Sequence, residues 1–238
     1  GITFKKWHKV IEKIEQFNSD GLIQLNTKDK ALAYAVSEIR KAFKEYKIEM
    51  AFFHSRFYVY TDDYWNEIND ESIEIFLRDF CKKFYATKIN FHTSTFYKAL
   101  RDTFRDDLRI IPETDDDRVL LNCMSGTLEF DKKGFIQREH DIKDYLTYKL
   151  SYDYNENAIC PRWNSFLDEM LPDKTHQLLL HQYVGYTFTN HLKLEKALFL
   201  YGDGGNGKSV VQEVITSLLG KENTSSVSLG KLTKDLNT

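Results

Sequence analysis

Apolar residues fall at Phe4, Trp7, Val10, Ile11, Ile14 and Phe17, with lysines and glutamates between them. Steps of three and four set these side chains on one stripe of a helix, so residues 4–17 are expected to be helical with one buried face. The same rhythm predicts a second helix over about 29–46. Residues 51–60 are rich in Phe and Tyr and read as a strand, with Asp62-Asp63 turning the chain so that 64–68 pairs back on it. Two more helices are predicted at about 70–85, behind an Asn69 or Asp70 cap, and at about 93–106, behind a Thr or Ser cap. Such caps accept hydrogen bonds from first-turn N–H groups that have no intrahelical partner. The apolar faces of these two helices are expected to pack together.

Beyond Pro112 the pattern shortens. Residues 118–122, 126–130 and 135–138 read as strands of a small antiparallel sheet, broken by Ser125-Gly126 and by Asp131-Lys132-Lys133-Gly134. Residues 155–161 form a loop, and 162–170 and 175–189 read as helices separated by Leu171-Pro172-Asp173, because proline cannot continue a helix. Then comes Ala197-Leu198-Phe199-Leu200-Tyr201, an unbroken apolar run of the kind found in parallel strands buried on both faces. After the glycine-rich stretch that follows, 210–219 is helical in pattern and stops at Gly220.

Composition narrows the function classes. With 238 residues, 42% of them hydrophobic, the chain has enough material to bury a core. Its longest apolar run is a few residues and its N-terminus is charged by Lys5 and Lys6, so neither a membrane span nor a secretory signal is expected. The expectation is a cytoplasmic protein. Cys81, Cys123 and Cys160 are far apart and odd in number, which argues against a disulfide framework or a structural zinc site. A net charge of -3 gives no general attraction to nucleic acid, so any DNA contact has to be local. The seven histidines show no metal-ligand spacing, and Asp115-Asp116-Asp117 reads as a solvated loop.

The strongest chemical signal is Gly202-Asp203-Gly204-Gly205-Asn206-Gly207-Lys208-Ser209, which meets every position of the phosphate-loop pattern Gly, four residues, Gly-Lys-Ser. It lies between an expected strand and an expected helix, the order the motif requires. Triphosphate oxygens have to be met by backbone N–H groups, and Gly204, Gly205 and Gly207 permit that approach. Lys208 brings an ammonium to the β- and γ-phosphates, and the Ser209 hydroxyl is the expected Mg2+ ligand. Asp203 and Asn206 fill the variable positions, and Val210 opens the helix. The expected ligand is ATP with Mg2+, bound by 202–210, with Lys208 as the catalytic side chain.

Three segments, Asn122–Phe130, Tyr152–Leu171 and Tyr201–Ser209, together resemble the phage and plasmid primase-helicases, whose poxvirus relatives belong to helicase superfamily 3. The matching pieces are Ser125-Gly126-Thr127-Leu128, Asp153-Tyr154, Cys160-Pro161-Arg162-Trp163, Leu171-Pro172-Asp173 and the phosphate loop with its Asn206. Gln182–Thr189 also looks like the family's helix leading into the ATPase core. The resemblance spans about 118–230; residues 1–110 share only its general texture. It implies an α+β chain: a mainly helical N-terminal region with a small antiparallel sheet, then the first strand-loop-helix unit of an α/β, AAA+-like phosphate-loop ATPase domain. The organisation expected is 1–110 helical, 111–190 a collar-type region of small sheet plus helices, and 191–238 the start of the ATPase domain. The implied activity is ATP-dependent DNA unwinding by a homo-oligomeric ring, usually a hexamer.

That family also needs a second strand ending in acidic residues, a polar sensor and a neighbour's arginine. After Ser209 the acidic residues are Glu213, Glu222 and Asp235, none at the end of an apolar strand. The chain is therefore expected to be the front portion of a longer replication protein, with little hydrolysis by itself. One alternative is a non-catalytic oligomerisation or DNA-binding module with an incomplete nucleotide site. Another is a small kinase, which the late position of the loop disfavours. For DNA, helices 70–85 and 93–106 followed by hairpin 118–138 allow a winged-helix arrangement carrying Lys98, Arg101, Arg105 and Arg109. The nearby Asp102, Asp106 and Asp107 favour instead a solvated, charge-balanced face.

Overall fold

The computed structural model describes residues 27–61, 63–85, 92–113, 118–189, 195–228 and 230–231. The helix expected at 4–17 and the run Asp115–Asp117 lie outside these residues. The chain divides into two compact units, residues 1–113 and 114–238.

In the first unit, helix α1 (Lys28–Glu45) starts at Thr27, whose side chain accepts from the Lys30 N–H. A meander follows, made of β1 (Glu49–Phe53), β2 (Arg56–Thr61) and β3 (Tyr64–Ile68), antiparallel in the order β1-β2-β3. Residues 51–60 are thus two strands and not one. The turn between them is His54-Ser55, with φ of 47° and 61°. A two-residue hairpin wants left-handed backbone at both central positions, normally supplied by Asn or Gly. Without those residues the turn left no mark in the pattern. Helices α2 (Asp70–Phe84, capped by Asn69) and α3 (Ser94–Asp107, capped by Thr93) follow.

Pleating divides the sheet residues. Met50, Phe52, Phe57, Val59 and Ile68 join the helical core, and Phe53, Tyr58 and Trp65 face the other way and pack on one another. The core is aromatic at its centre, with Phe43 against Phe76 at 5.7 Å and edge-on to Phe104 at 6.1 Å. Tyr85, which is buried, donates its hydroxyl to the Ala31 carbonyl at 2.8 Å and so ties the end of α2 to the start of α1. Residues 108–110 lie alongside β1, with Phe52 N–H donating to Leu108 O at 2.9 Å and Ile110 N–H to Phe52 O at 3.0 Å.

The second unit opens with an antiparallel meander of β4 (Val119–Asn122), β5 (Thr127–Asp131) and β6 (Gly134–Arg138). Asn122 is fully buried, and it fastens the stretch that follows the sheet. Its side-chain amide donates to Tyr148 O at 2.8 Å, and its carbonyl accepts from Leu150 N–H at 2.7 Å. Arg138 forms a fork onto Asp144 at 2.8 and 2.7 Å and also donates to Glu129 at 2.7 Å. Helix α4 (Pro161–Met170) begins with proline in its first turn, where no N–H is needed. Helix α5 (Lys174–Thr187) is capped by Asp173, and α6 (Lys208–Leu219) by Gly207. Leu167 of α4, Leu180 of α5 and Val211 of α6 meet in one buried cluster, so stretches 111–190 and 191–238 contribute to the same unit. Among the described residues, no helix is long and apolar enough to cross a membrane.

Candidate nucleotide site

Residues 202–207 form a turn that leads directly into α6, which begins at Lys208. Gly202 has φ 151° and Gly207 φ 77°, values that L side chains rarely adopt. A Cβ on Gly202 would collide with the Asn206 side-chain amide, and one on Gly207 would come 2.8 Å from the Phe166 ring. Glycine is favoured at both positions, by backbone angle at each and at Gly207 also by contact with a neighbouring helix.

Lys208 folds back over the loop. Its ammonium donates to Gly202 O at 2.7 Å, Asp203 O at 3.0 Å and Asn206 Oδ1 at 2.5 Å. All three acceptors are neutral, so they hold the lysine in place without cancelling its charge. Asn206 therefore has a part beyond filling a variable position: its amide packs on Gly202 and its oxygen anchors Lys208. In α6 the Val211 N–H makes the first bond back, to Gly207 O at 3.1 Å. The preceding N–H groups are the ones that helix geometry leaves without an intrahelical acceptor, and the aligned peptide dipoles add partial positive charge there. Gly204–Val210 line an open cleft of ≈ 790 Å³ whose opposite wall is Phe166, Glu169 and Met170 of α4. This set of donors, one ammonium and one hydroxyl suits a polyphosphate with its Mg2+.

One expectation is corrected here, and one disfavoured arrangement is found split between the two units. Residues 197–201 do not form a strand, and the run is open to solvent, with Phe199 80% and Tyr201 95% exposed. A parallel strand buried on both faces exists only where neighbouring strands pair with it, and the six described strands pair within their own antiparallel meanders. The winged-helix grouping is also not one unit. Helices α2 and α3 belong to the first unit and the 118–138 hairpin to the second.

The basic residues of that grouping are met by acids. Arg101 pairs with Glu74 at 2.9 Å and Asp70 at 3.8 Å, and Arg105 with Asp106 at 3.2 Å and Asp102 at 3.3 Å. Arg109 pairs with Asp106 at 3.2 Å and lies over the Phe52 ring at 5.4 Å. Hydrogen bonds from Arg109 and then Arg105 hold the Asp106 carboxyl below its ordinary range. Lys98 is exposed and lines a shallow cleft with Arg78, Tyr97 and Arg101. Burial pushes the Cys81 thiol up to about 12 and raises that of Cys123, so neither is a ready nucleophile. Among the described residues no cluster of His, Cys, Asp or Glu could hold a metal ion.

Motifs distant in sequence meet in the second unit. The Asp153 carboxylate accepts from both the N–H and the hydroxyl of Ser125 at 2.7 Å, joining Ser125-Gly126-Thr127-Leu128 to Asp153-Tyr154. Asp173 of Leu171-Pro172-Asp173 caps α5, and the turn before it is fastened by Gln177, which donates to Leu171 O at 2.9 Å. The wall facing the glycine-rich loop was not singled out from the sequence. Its one signal was the helical spacing of Trp163, Phe166, Leu167 and Met170, which reads equally well as core.

The described residues thus form an α+β protein of helices and two small antiparallel sheets, with a glycine-rich turn at the N-terminus of α6. The family described as D5 N terminal like matches residues 27–172, well over half of the chain, and the chain belongs to that family, which groups the N-terminal regions of phage and viral primase-helicases. The match begins at residue 27, so residues 27–113 of the first unit lie within the family segment although their sequence showed only general texture. The glycine-rich turn lies beyond the matched residues. No curated protein matches the chain.

Proposed function

We propose that this chain is the N-terminal and initial ATPase part of a ring-forming, ATP-dependent DNA helicase of the primase-helicase type, serving replication of a phage, plasmid or mobile element. The observation that carries the reading is the Gly202–Ser209 loop, with Lys208 folded over it, following a segment of the D5 N-terminal family. In this proposal the backbone N–H groups of 204–210 hold the phosphates of ATP. Lys208 exchanges its carbonyl acceptors for β- and γ-phosphate oxygens, and Ser209 ligates Mg2+, which adds positive charge where the leaving phosphates carry negative charge. Hexameric assembly and DNA contact belong to the same proposal.

Calorimetric titration of the chain with ATP and Mg2+ tests the first step. Lys208→Ala is expected to weaken binding at least tenfold, the range for loss of a charge-assisted contact. Equal affinity of the two proteins would refute the assignment of the loop. The rival reading, a non-catalytic module with an incomplete nucleotide site, is favoured by the missing strand at 197–201 and predicts no ATP binding by the wild type. Strand separation by the full-length protein, tested on a forked DNA duplex, separates helicase from kinase.

A further inference from the structure

We propose that the face of α4 opposite the phosphate loop is the nucleoside subsite, with Phe166 and Met170 as the platform for the base and Glu169 as the acceptor at its edge. The inference rests on the nucleotide reading above and deepens it. Two grooves flank the loop. One, of ≈ 370 Å³, is lined mainly by apolar side chains and meets the loop only at Asn206 and Lys208. The other takes in every residue from Gly204 to Val210, so the phosphates belong there, and the nearest surface for the rest of the molecule is α4.

That surface has the chemistry a nucleoside needs, which is a flat apolar area with a hydrogen-bonding group beside it. Phe166 is half-buried and stacks on Trp163 at 5.5 Å with 28° between the rings, which fixes its plane. Trp163 is itself held by its indole N–H, which donates to His181 of α5 at 3.2 Å. Behind them Leu167 is buried against Leu180 and Val211, so the wall and the loop's helix share one core and do not move independently. Phe166 and Met170 approach Gly207 so closely that a Cβ there would lie 2.8 and 3.0 Å from them, which leaves the stacking surface continuous with the phosphate cradle. Glu169 is exposed at the rim, where a carboxylate repels bare phosphates and can accept from a donor such as a base amino group or a ribose hydroxyl.

The test compares binding of ATP and of inorganic tripolyphosphate, each with Mg2+, to the 238-residue chain. The wild type is expected to prefer ATP. Phe166→Ala is expected to cut that preference about tenfold, as loss of one base-stacking ring does, and to leave tripolyphosphate affinity unchanged. Phe166→Leu keeps most of the apolar volume while removing the flat ring, and it is expected to fold and to show the same loss. Glu169→Gln, on the exposed rim, is expected to raise tripolyphosphate affinity and narrow the preference. If both ligands bind the wild type equally, or if the preference survives in Phe166→Leu and Glu169→Gln, the subsite is wrong and the phosphate loop stands. If neither ligand binds the wild type, the nucleotide reading itself falls, and the subsite with it.

Discussion

Gly207→Ala adds one methyl group at the place where the loop, α6 and α4 meet. The backbone there has φ 77°, and left-handed backbone costs a residue with a Cβ about 1–2 kcal/mol. The new carbon also falls 2.8 Å from Phe166 Cζ and 3.0 Å from Met170 Cγ, closer than van der Waals contact. Phe166 is held between Trp163 and the Leu167–Leu180–Val211 cluster, so relief has to come from movement of α4 or of the loop. Strain and overlap together place the cost at about 2 kcal/mol, or about thirtyfold in an opening equilibrium. With two compact units, global unfolding is a poor readout, so amide hydrogen exchange by mass spectrometry should follow peptides covering 161–187 and 208–219. Exchange in both is expected to accelerate about thirtyfold, with peptides of 31–60 unchanged. Gly204→Ala is the control, since nothing lies within 4 Å of a Cβ there. Equal exchange in the two variants would show that α4 does not press on the loop.

Glu129 supplies a pH test. The hydrogen bond from Arg138 holds its carboxyl below the ordinary 4.5, against the opposing cost of burial. A carboxyl lowered in the folded state contributes stability that is present above pH 4.5 and is lost as pH falls through its folded value. Arg138→Met should therefore flatten the acid side of the second unit's stability profile, measured by hydrogen exchange, and an unchanged slope would remove the pair from the account. The charge-balanced face of α3 makes a separate prediction. Arg101→Ala with Arg105→Ala should leave the affinity for single-stranded DNA and its salt dependence unchanged in a fluorescence anisotropy titration. A salt slope reduced by about 1.4, the value for two phosphate contacts on a single strand, would show that these residues meet phosphates.

Legibility followed the range of the interactions involved. Helices α1, α2 and α3 were readable because a buried stripe repeats every three to four residues, and α2 and α3 are also announced by a capping side chain, Asn69 or Thr93. The β4-β5-β6 meander was readable because Ser125-Gly126 and Asp131–Gly134 mark its turns. The His54-Ser55 hairpin was not, because its left-handed residues are not the usual ones and pairing partners such as Phe52 and Phe57 set the turn. Residues 197–201 erred in the other direction, since a strand is a property of its neighbours and five apolar residues cannot show whether neighbours exist.

By itself, the sequence determined the loop's chemistry, because glycines, a lysine and a serine at fixed offsets specify local backbone freedom and charge. It also determined most of the helices, since capping and periodicity act within a few residues. Only the tertiary structure decided that Asp153 pins Ser125 and that Phe166 restricts Gly207 by contact as well as by backbone angle. These pairings close long loops, and no local pattern records which surfaces the folded core will press together.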